Sequence, residues 1–322
     1  MAVDHSRRLN RVDDTPRIHV IHENPEWSAP LFEALSAQGL PWVDWNLQDG
    51  CVDLHHPPPA GVFYSRMSAS SHTRGHRYSP ELTGAVLAWL ERHSARVVNG
   101  SEALRLELSK AAQHAALTAF GIRVPDTTVV HGEKALLAAA RGFERPFITK
   151  HNRAGKGLGV RLFEGFESLQ RALPELREDA PVDGLWLLQD YIRAPQPFIT
   201  RVEFVGGQLL YAVRVDTSDG FELCPADVCS LDGQFCPTSD DATEADGAAA
   251  PATPPRFEII EDFRHPLVAS YEAFLARHGI EVAAFEFIVD AKGEAFTYDI
   301  NTNTNYNSAA ETRAGLSGMR RL

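Results

Sequence analysis

From residue 17 onward the chain alternates between two apolar rhythms. RIHVIH (17–22) has the compact apolar run of a strand, while 27–38 spaces apolar residues three and four apart and stops at Gly39, as an amphipathic helix does. Short strands at 41–46 and 61–66, with a helix at 80–93, continue the alternation and predict a small α/β layer with a parallel sheet. After VVNG (97–100) the pattern predicts one long helix over 101–120, closed by Gly121. In IRVPDTTVV, which follows, Pro125 removes a ladder donor and confines the segment to an edge or a loop. Helix 135–142, strand PFITK (146–150), a Gly-rich loop over 151–159, strand 160–163 and helix 166–177 come next. LWLLQDYI (185–192) reads as a buried strand, and 199–205 with 208–216 as a hairpin across Gly206-Gly207. A helix at 265–278 and a hairpin over 282–301 complete the order. The expected segments are 1–100, 101–184 and 185–322. TSDDATEADGAAAPATPPR (238–256) holds no bulky apolar residue and is expected to be a mobile loop.

A chain of 322 residues, 44% of them hydrophobic, can bury the cores of two or three domains. No apolar run approaches the ~20 residues of a membrane helix, and MAVDHSRRLNRVDD lacks an apolar signal core, so a cytoplasmic protein without membrane contact is expected. Cys51, Cys224, Cys229 and Cys236 then read as reduced thiols, and the last three lack the paired CxxC spacing of common zinc sites. A net charge of −12 argues against a nucleic-acid partner but leaves room for a local basic site that takes a small anion.

Three stretches carry candidate chemistry. If the final hairpin turns through the four residues 291–294, Glu286 lies opposite Asp299, with Asn301 on the same face. Facing carboxylates repel, so the arrangement calls for something positive between them, and Mg²⁺ suits two carboxylates and an amide oxygen. A solvated sheet face ending in the Asn-rich turn TNTNYN (302–307) accounts for the same residues equally well. In PFITKHNRAGKGLGV (146–160), a strand ends in Lys150 and is followed by Gly155, Lys156, Gly157 and Gly159, which would let backbone amides and ammonium groups approach phosphate. Neither the P-loop nor the dinucleotide fingerprint is present, and a flexible hairpin tip is the competing reading. LLQDYI (187–192) could offer backbone groups to a purine, or simply be a core strand with a polar exit. Arg66, Lys110, Arg201 and Arg214 each sit at an element or its end, where single cations are usually surface residues. His72, His76, Arg74 and Arg77 either line a substrate mouth or meet solvent.

Taken in order, these residues resemble the ATP-grasp superfamily. The likeness is to its carboxylate–amine ligases, which include ribosomal-protein glutamate ligases and glutathione synthetase. It rests on VVNGSEALRLELSK, GIRVPDTTVV, ITKHNRAGKGLGV, LLQDYI, TRVEFVGGQLLYAVR and AFEFIVDAKGEAFTYDIN, which together span about 97–307. The resemblance implies an α/β fold in which two α+β halves grip ATP behind an N-terminal α/β domain. By it, Lys110 and Lys150 contact phosphates and the loop with Gly155, Lys156, Gly157 and Gly159 closes over them. Gln189, Asp190, Tyr191 and Ile192 form the adenine hinge, and Glu286, Asp299 and Asn301 hold Mg²⁺, with Mn²⁺ as a substitute. Arg201 and Arg214 would serve as catalytic residues at the γ-phosphate or the activated carboxylate; Arg66 and Asn303 would touch substrate. The implied reaction makes an acylphosphate that an amine attacks, giving an amide, ADP and phosphate. Its partners are a carboxylate and an amine, as small molecules or peptides, and a homo-oligomer is compatible with it. The chain departs from the family at Asp299, where Glu is usual, at Ile199, where relatives often carry an acid, and at 302–307, which replaces a small Pro-Gly turn. A nucleotide-binding protein without the reaction, or a kinase-like member that phosphorylates without ligation, would fit the altered loop.

Overall fold

A computed structural model describes residues 15–155, 157–218 and 255–322. Lys156, Cys224, Cys229, Cys236 and nearly all of the loop expected over 238–256 lie outside the described residues.

The first layer is a parallel sheet of β1 (Arg17–His22), β2 (Trp42–Asn46), β3 (Gly61–Ser65) and β4 (Arg96–Val98), in the order β2-β1-β3-β4. Helices α1 (Pro25–Ala37) and α2 (Ser79–Arg92) connect its strands. In β1, Val20 packs with Leu31 and Leu35 of α1 whereas its neighbour Ile21 packs with Val86, Leu87 and Leu90 of α2. Both faces of the sheet are therefore covered, as parallel strands require.

The helix expected over 101–120 is two helices, α3 (Ser101–Glu107) and α4 (Lys110–Ala119). Ser109 leaves helical geometry at φ −144° and its hydroxyl accepts the Ala112 amide at 3.2 Å, which caps the second helix. The apolar period runs straight through the break and hides it. Likewise 166–177 divides into α6 (Phe166–Arg171) and α7 (Leu173–Glu178), where Pro174 cannot donate to a continuous helix and instead opens a new one.

The second sheet contains β5 (Thr127–His131), β6 (Phe147–His151), β7 (Arg161–Phe163) and β8 (Leu185–Asp190), antiparallel in the order β5-β8-β6-β7. Helix α5 (Glu133–Ala140) packs on it with α6 and α7. β5 is an edge strand, as Pro125 demands. β8 lies between β5 and β6, so the change of sheet falls after Asp190 and not at 185; its buried run Leu187-Leu188 suits an interior strand.

The third sheet is antiparallel, in the order β11-β10-β9-β12-β13, from β9 (Phe198–Val205), β10 (Gln208–Asp216), β11 (Phe257–Ile260), β12 (Val282–Val289) and β13 (Ala295–Asn301). One face packs Val202, Phe204 and Phe285 against Tyr271, Phe274 and Leu275 of α8 (Leu267–His278) and against Leu106 and Leu117 of α3 and α4. The hairpin β12–β13 closes through Asp290–Glu294, one residue more than the four assumed. Glu286 still faces Asp299, because the pairing skips from Phe287↔Thr297 to Glu286↔Asp299 and leaves Tyr298 as a bulge. Helices α9 (Ser308–Ala314) and α10 (Gly318–Arg321) follow, and Met319 packs back toward Phe32 and Trp42 of the first layer.

One side chain joins the first layer to the third. Buried Asn99, at φ +57°, donates to the carbonyls of Val282 (2.7 Å) and Thr302 (2.8 Å) and accepts the amides of Glu281 and Val282, both at 3.2 Å. Among the described residues no helix is long and apolar enough to cross a membrane.

Candidate active site

A cleft of about 450 Å³ separates the second and third sheets, within the usual range for small-molecule sites. One end is apolar, between Ile148 and Val160 on one side and Ile199 and Ile288 on the other, with Gln189, Tyr191 and Ile192 at the rim. The middle carries the charges: Lys110, Lys150, Arg201, Glu286 and Asp299, with Asn301 beside them. The far wall comes from the first layer, through Trp27, Ser68 and Ser70, and from Asn303 and Asn305.

Lys150 ends in the cleft from the buried strand β6, with its ammonium 4.8 Å from the Tyr298 ring centre. Burial, and then the charge of Lys110, lower its pKa to about 8, against the pull of Asp299 and Glu286. Among the described residues no carboxylate pairs with it. Lys110 is the first residue of α4, and its ammonium meets Asp299 Oδ1 at 2.6 Å. Arg201 donates from Nε to Glu203 (2.6 Å), from Nη1 to Glu286 (2.6 Å) and from Nη2 to the Thr304 hydroxyl (2.7 Å). Burial works against its charge, but Glu203 and Glu286 outweigh that and raise its pKa further. The two facing carboxylates are thus each compensated by a cation of the protein itself. Asn301 completes the group, its amide nitrogen 3.4 Å from Glu286 Oε1.

The residues fit a metal-nucleotide ligand. Among the described residues no three His, Cys, Asp or Glu side chains surround one point, so the chain offers no self-sufficient metal cage. Two carboxylates and an amide suit Mg²⁺ instead, since that ion keeps waters and phosphate oxygens as its remaining ligands. The unpaired ammonium of Lys150 matches an anion. Gln189 Oε1, buried and without a partner among the described residues, matches a hydrogen-bond donor such as an exocyclic amine.

Four expected residues stand elsewhere. Arg214 pairs in register with Thr200 and lies on the α8 face of the sheet, stacked at 4.5 Å over Phe198, whereas Arg201 one residue along β9 faces the cleft. The Asp190 carboxylate turns away to Arg145, while the Asp190 and Tyr191 amides are tied to Asp126 and Pro146 carbonyls at 2.9 and 3.1 Å. Arg66 is buried outside the cleft lining and donates to Trp27 O (3.0 Å), Thr304 O (3.1 Å) and Asn305 Oδ1 (2.7 Å). Gly159 shapes the loop without lining the cleft: at φ +73°, a Cβ there would lie 2.2 Å from the His151 ring.

Two acids escape the sequence reading. Glu107, at the end of α3, accepts the Ala69 amide (3.2 Å) on one oxygen and the Thr302 (2.8 Å) and Asn303 (3.3 Å) amides on the other. Burial raises its pKa ahead of those bonds, which lower it. Its place is visible only once the helix is known to break. Glu203 takes the Thr304 hydroxyl at 2.7 Å besides Arg201, and its position two residues beyond Arg201 on one strand face was the available signal. The 302–307 stretch is therefore no loose turn. It is held from three sides and presents Asn303, whose amide oxygen has no partner among the described residues, to the cleft.

Solved structures share this fold. The chain matches a RimK domain protein ATP-grasp from Sphaerobacter thermophilus at TM-score 0.61 and 19% identity, covering 95% of this chain and 98% of that one. The ATP-grasp fold is thereby shown. D-cycloserine synthetase DcsG gives TM-score 0.61 at 19% identity over 94% and 96% of the two chains. ATP-grasp ligase PsnB, complexed with a variant of its minimal precursor, Mg and ADP, gives 0.62 at 17% over 95% and 96%. No family model and no curated protein matches the chain. In this ATP-grasp fold the cleft lies between the second and third sheets, with residues of the first layer along its far wall.

Proposed function

We propose that the chain is an ATP-dependent ligase that joins a carboxylate to an amine and releases ADP and phosphate. The buried, unpaired ammonium of Lys150 facing Glu286, Asp299 and Asn301 across one cleft supports this most directly. In this reading ATP lies with its base at the Gln189–Ile192 rim and its phosphates at Lys110 and Lys150. Glu286, Asp299 and Asn301 would hold Mg²⁺, or Mn²⁺ in its place, which when bound neutralises phosphate charge. Lys110 would then pass from Asp299 to phosphate. Arg201, fixed by Glu203 and Thr304, keeps a positive charge where the transferring phosphoryl group and the carboxylate meet. Catalysis is positioning and charge stabilisation rather than covalent chemistry by the protein. The wall of Trp27, Ser68, Ser70, Asn303 and Asn305 takes the substrate through neutral polar groups, and an amino acid or peptide fits that chemistry. An ATP-consuming reaction of this kind places the chain in the cytoplasm. The presence of Mg and ADP in the PsnB complex accords with the reading.

An assay of ADP against AMP release with Mg·ATP, over a panel of amino acids and acidic peptides, tests it. ADP release that depends on a carboxylate and yields an amide is expected. Nucleotide binding without such turnover would make the chain a binding protein, and a stable phosphorylated product without amide would make it a kinase.

A further inference from the structure

The glycine-rich loop is tied to a domain other than its own. Its base is held within the ATP-grasp halves, where Asn152 O accepts the Lys110 amide at 3.1 Å and Asn152 Oδ1 accepts the Ala111 amide at 2.9 Å. The next residue, Arg153, crosses to the first layer. Its Nη1 meets Glu81 Oε1 at 2.8 Å, and its Nη2 meets the Arg77 carbonyl at 3.1 Å. Glu81 sits in the first turn of α2, and the same oxygen also accepts Arg77 Nη1 at 3.2 Å, while its other oxygen takes Arg153 Nη2 at 3.3 Å. Arg77 in turn reaches Val182 O at 3.1 Å, ahead of β8. Two residues past Arg153, Gly155 runs beside Ser70, where a Cβ would come within 3.6 Å of the serine Cβ. Ser70 belongs to the substrate wall.

We propose that Arg153 and Glu81 form a latch through which the loop over the nucleotide and the substrate wall of the first layer close as one unit, with Arg153 as a positioning residue for the loop. The proposal rests on reading this loop as the nucleotide cover. Glu81 is half exposed, and exposed ion pairs add little to global stability, so the pair's effect is local. The loop it restrains contains Gly155, Gly157 and Gly159, whose backbone freedom makes an unanchored loop costly to order. Glu81 is also the carboxylate between two guanidinium groups. Without it, Arg77 and Arg153 face each other and the loop is pushed from the wall. A first layer that moves away from the central sheet breaks the same bonds, so the cover cannot stay closed over nucleotide with the substrate wall open.

Hydrogen exchange of 152–160 in the full chain, with and without Mg·ATP, tests the latch. Glu81→Gln and Arg153→Gln should each speed exchange of that segment about tenfold while leaving α8 unchanged, the size expected when one charge-assisted contact is lost. The KM for ATP should rise by a similar factor, about tenfold, with kcat changed far less. Arg153→Lys should restore part of the protection, and the swap Arg153→Glu with Glu81→Arg should restore more than either single change. Unchanged loop exchange in both single variants overturns the latch, as does faster exchange spread evenly through the protein. A wild-type chain that binds no ATP would sink the ligase reading, while the nucleotide-free exchange would still decide the latch.

Discussion

A lysine buried beside another lysine is comfortable in its charged form only when something negative stands near. The folded pKa of Lys150, about 8, lies below its unfolded value of 10.5, so the free protein carries a penalty that is complete below pH 8. Its stability should therefore rise as pH climbs from about 8 to about 10.5, where the unfolded chain binds the extra proton. Lys150→Met should stabilise the free protein at pH 7 by up to roughly 3 kcal/mol and weaken ATP binding by about 1.5–3 kcal/mol, measured by thermal unfolding and calorimetry. The two arginines separate in the same way. Arg201→Ala leaves Glu203 and Glu286 buried without their cation and should cost about 3–5 kcal/mol in urea unfolding, whereas Arg214→Ala should stay within about 0.5 kcal/mol and leave ATP turnover intact. Asp299→Asn should abolish turnover, and it should also slightly lower the stability of the free protein, because Lys110 already pairs with Asp299. Facing carboxylates on a hairpin were legible in the sequence. That the protein supplies its own cations to them was not, because Lys110 arrives from 189 residues away. Arg214 was misplaced by one residue of register, which decides the face of a strand.

At the scale of elements, propensity and period located strands and helices well and failed at interruptions. The bulge at Tyr298 and the extra loop residue cancel, so the expected pairing of Glu286 with Asp299 was reached by a hairpin of different construction. The cap at Ser109 broke a helix that apolar spacing alone would continue, and it set both Glu107 and Lys110 toward the cleft. The glycine loop between β6 and β7 was legible, but its conformation was not. Gly159→Ala combines a positive φ with a clash against the His151 ring and should destabilise the β6–β7 hairpin by about 1–3 kcal/mol and weaken ATP binding. Gly39→Ala, at φ +67° with open space around it, is the control, expected to cost about 1 kcal/mol and leave binding unchanged.

For the whole molecule, the order of motifs along the chain carried no trace of the bonds that lock its sheets, because such contacts are far apart in sequence and leave no local period. Asn99 is the clearest of these. Asn99→Ala would strand two carbonyls and two amides at the junction of the first and third layers, and a loss of about 3 kcal/mol in chemical denaturation is expected. The manner in which 302–307 is held also bears on how such a chain can diverge. Arg66 just past β3, Glu107 of α3 and Glu203 of β9 grip successive residues of the stretch. A chimaera whose imported stretch ran along another path would cost each of the three buried groups a partner, so it is not an exchangeable cassette. Asn303 is different, since its amide oxygen answers to no neighbour among the described residues. If the cleft takes substrate as proposed, descendants of this sequence can retune what they accept by single replacements at 303, while the flanking positions must be inherited together.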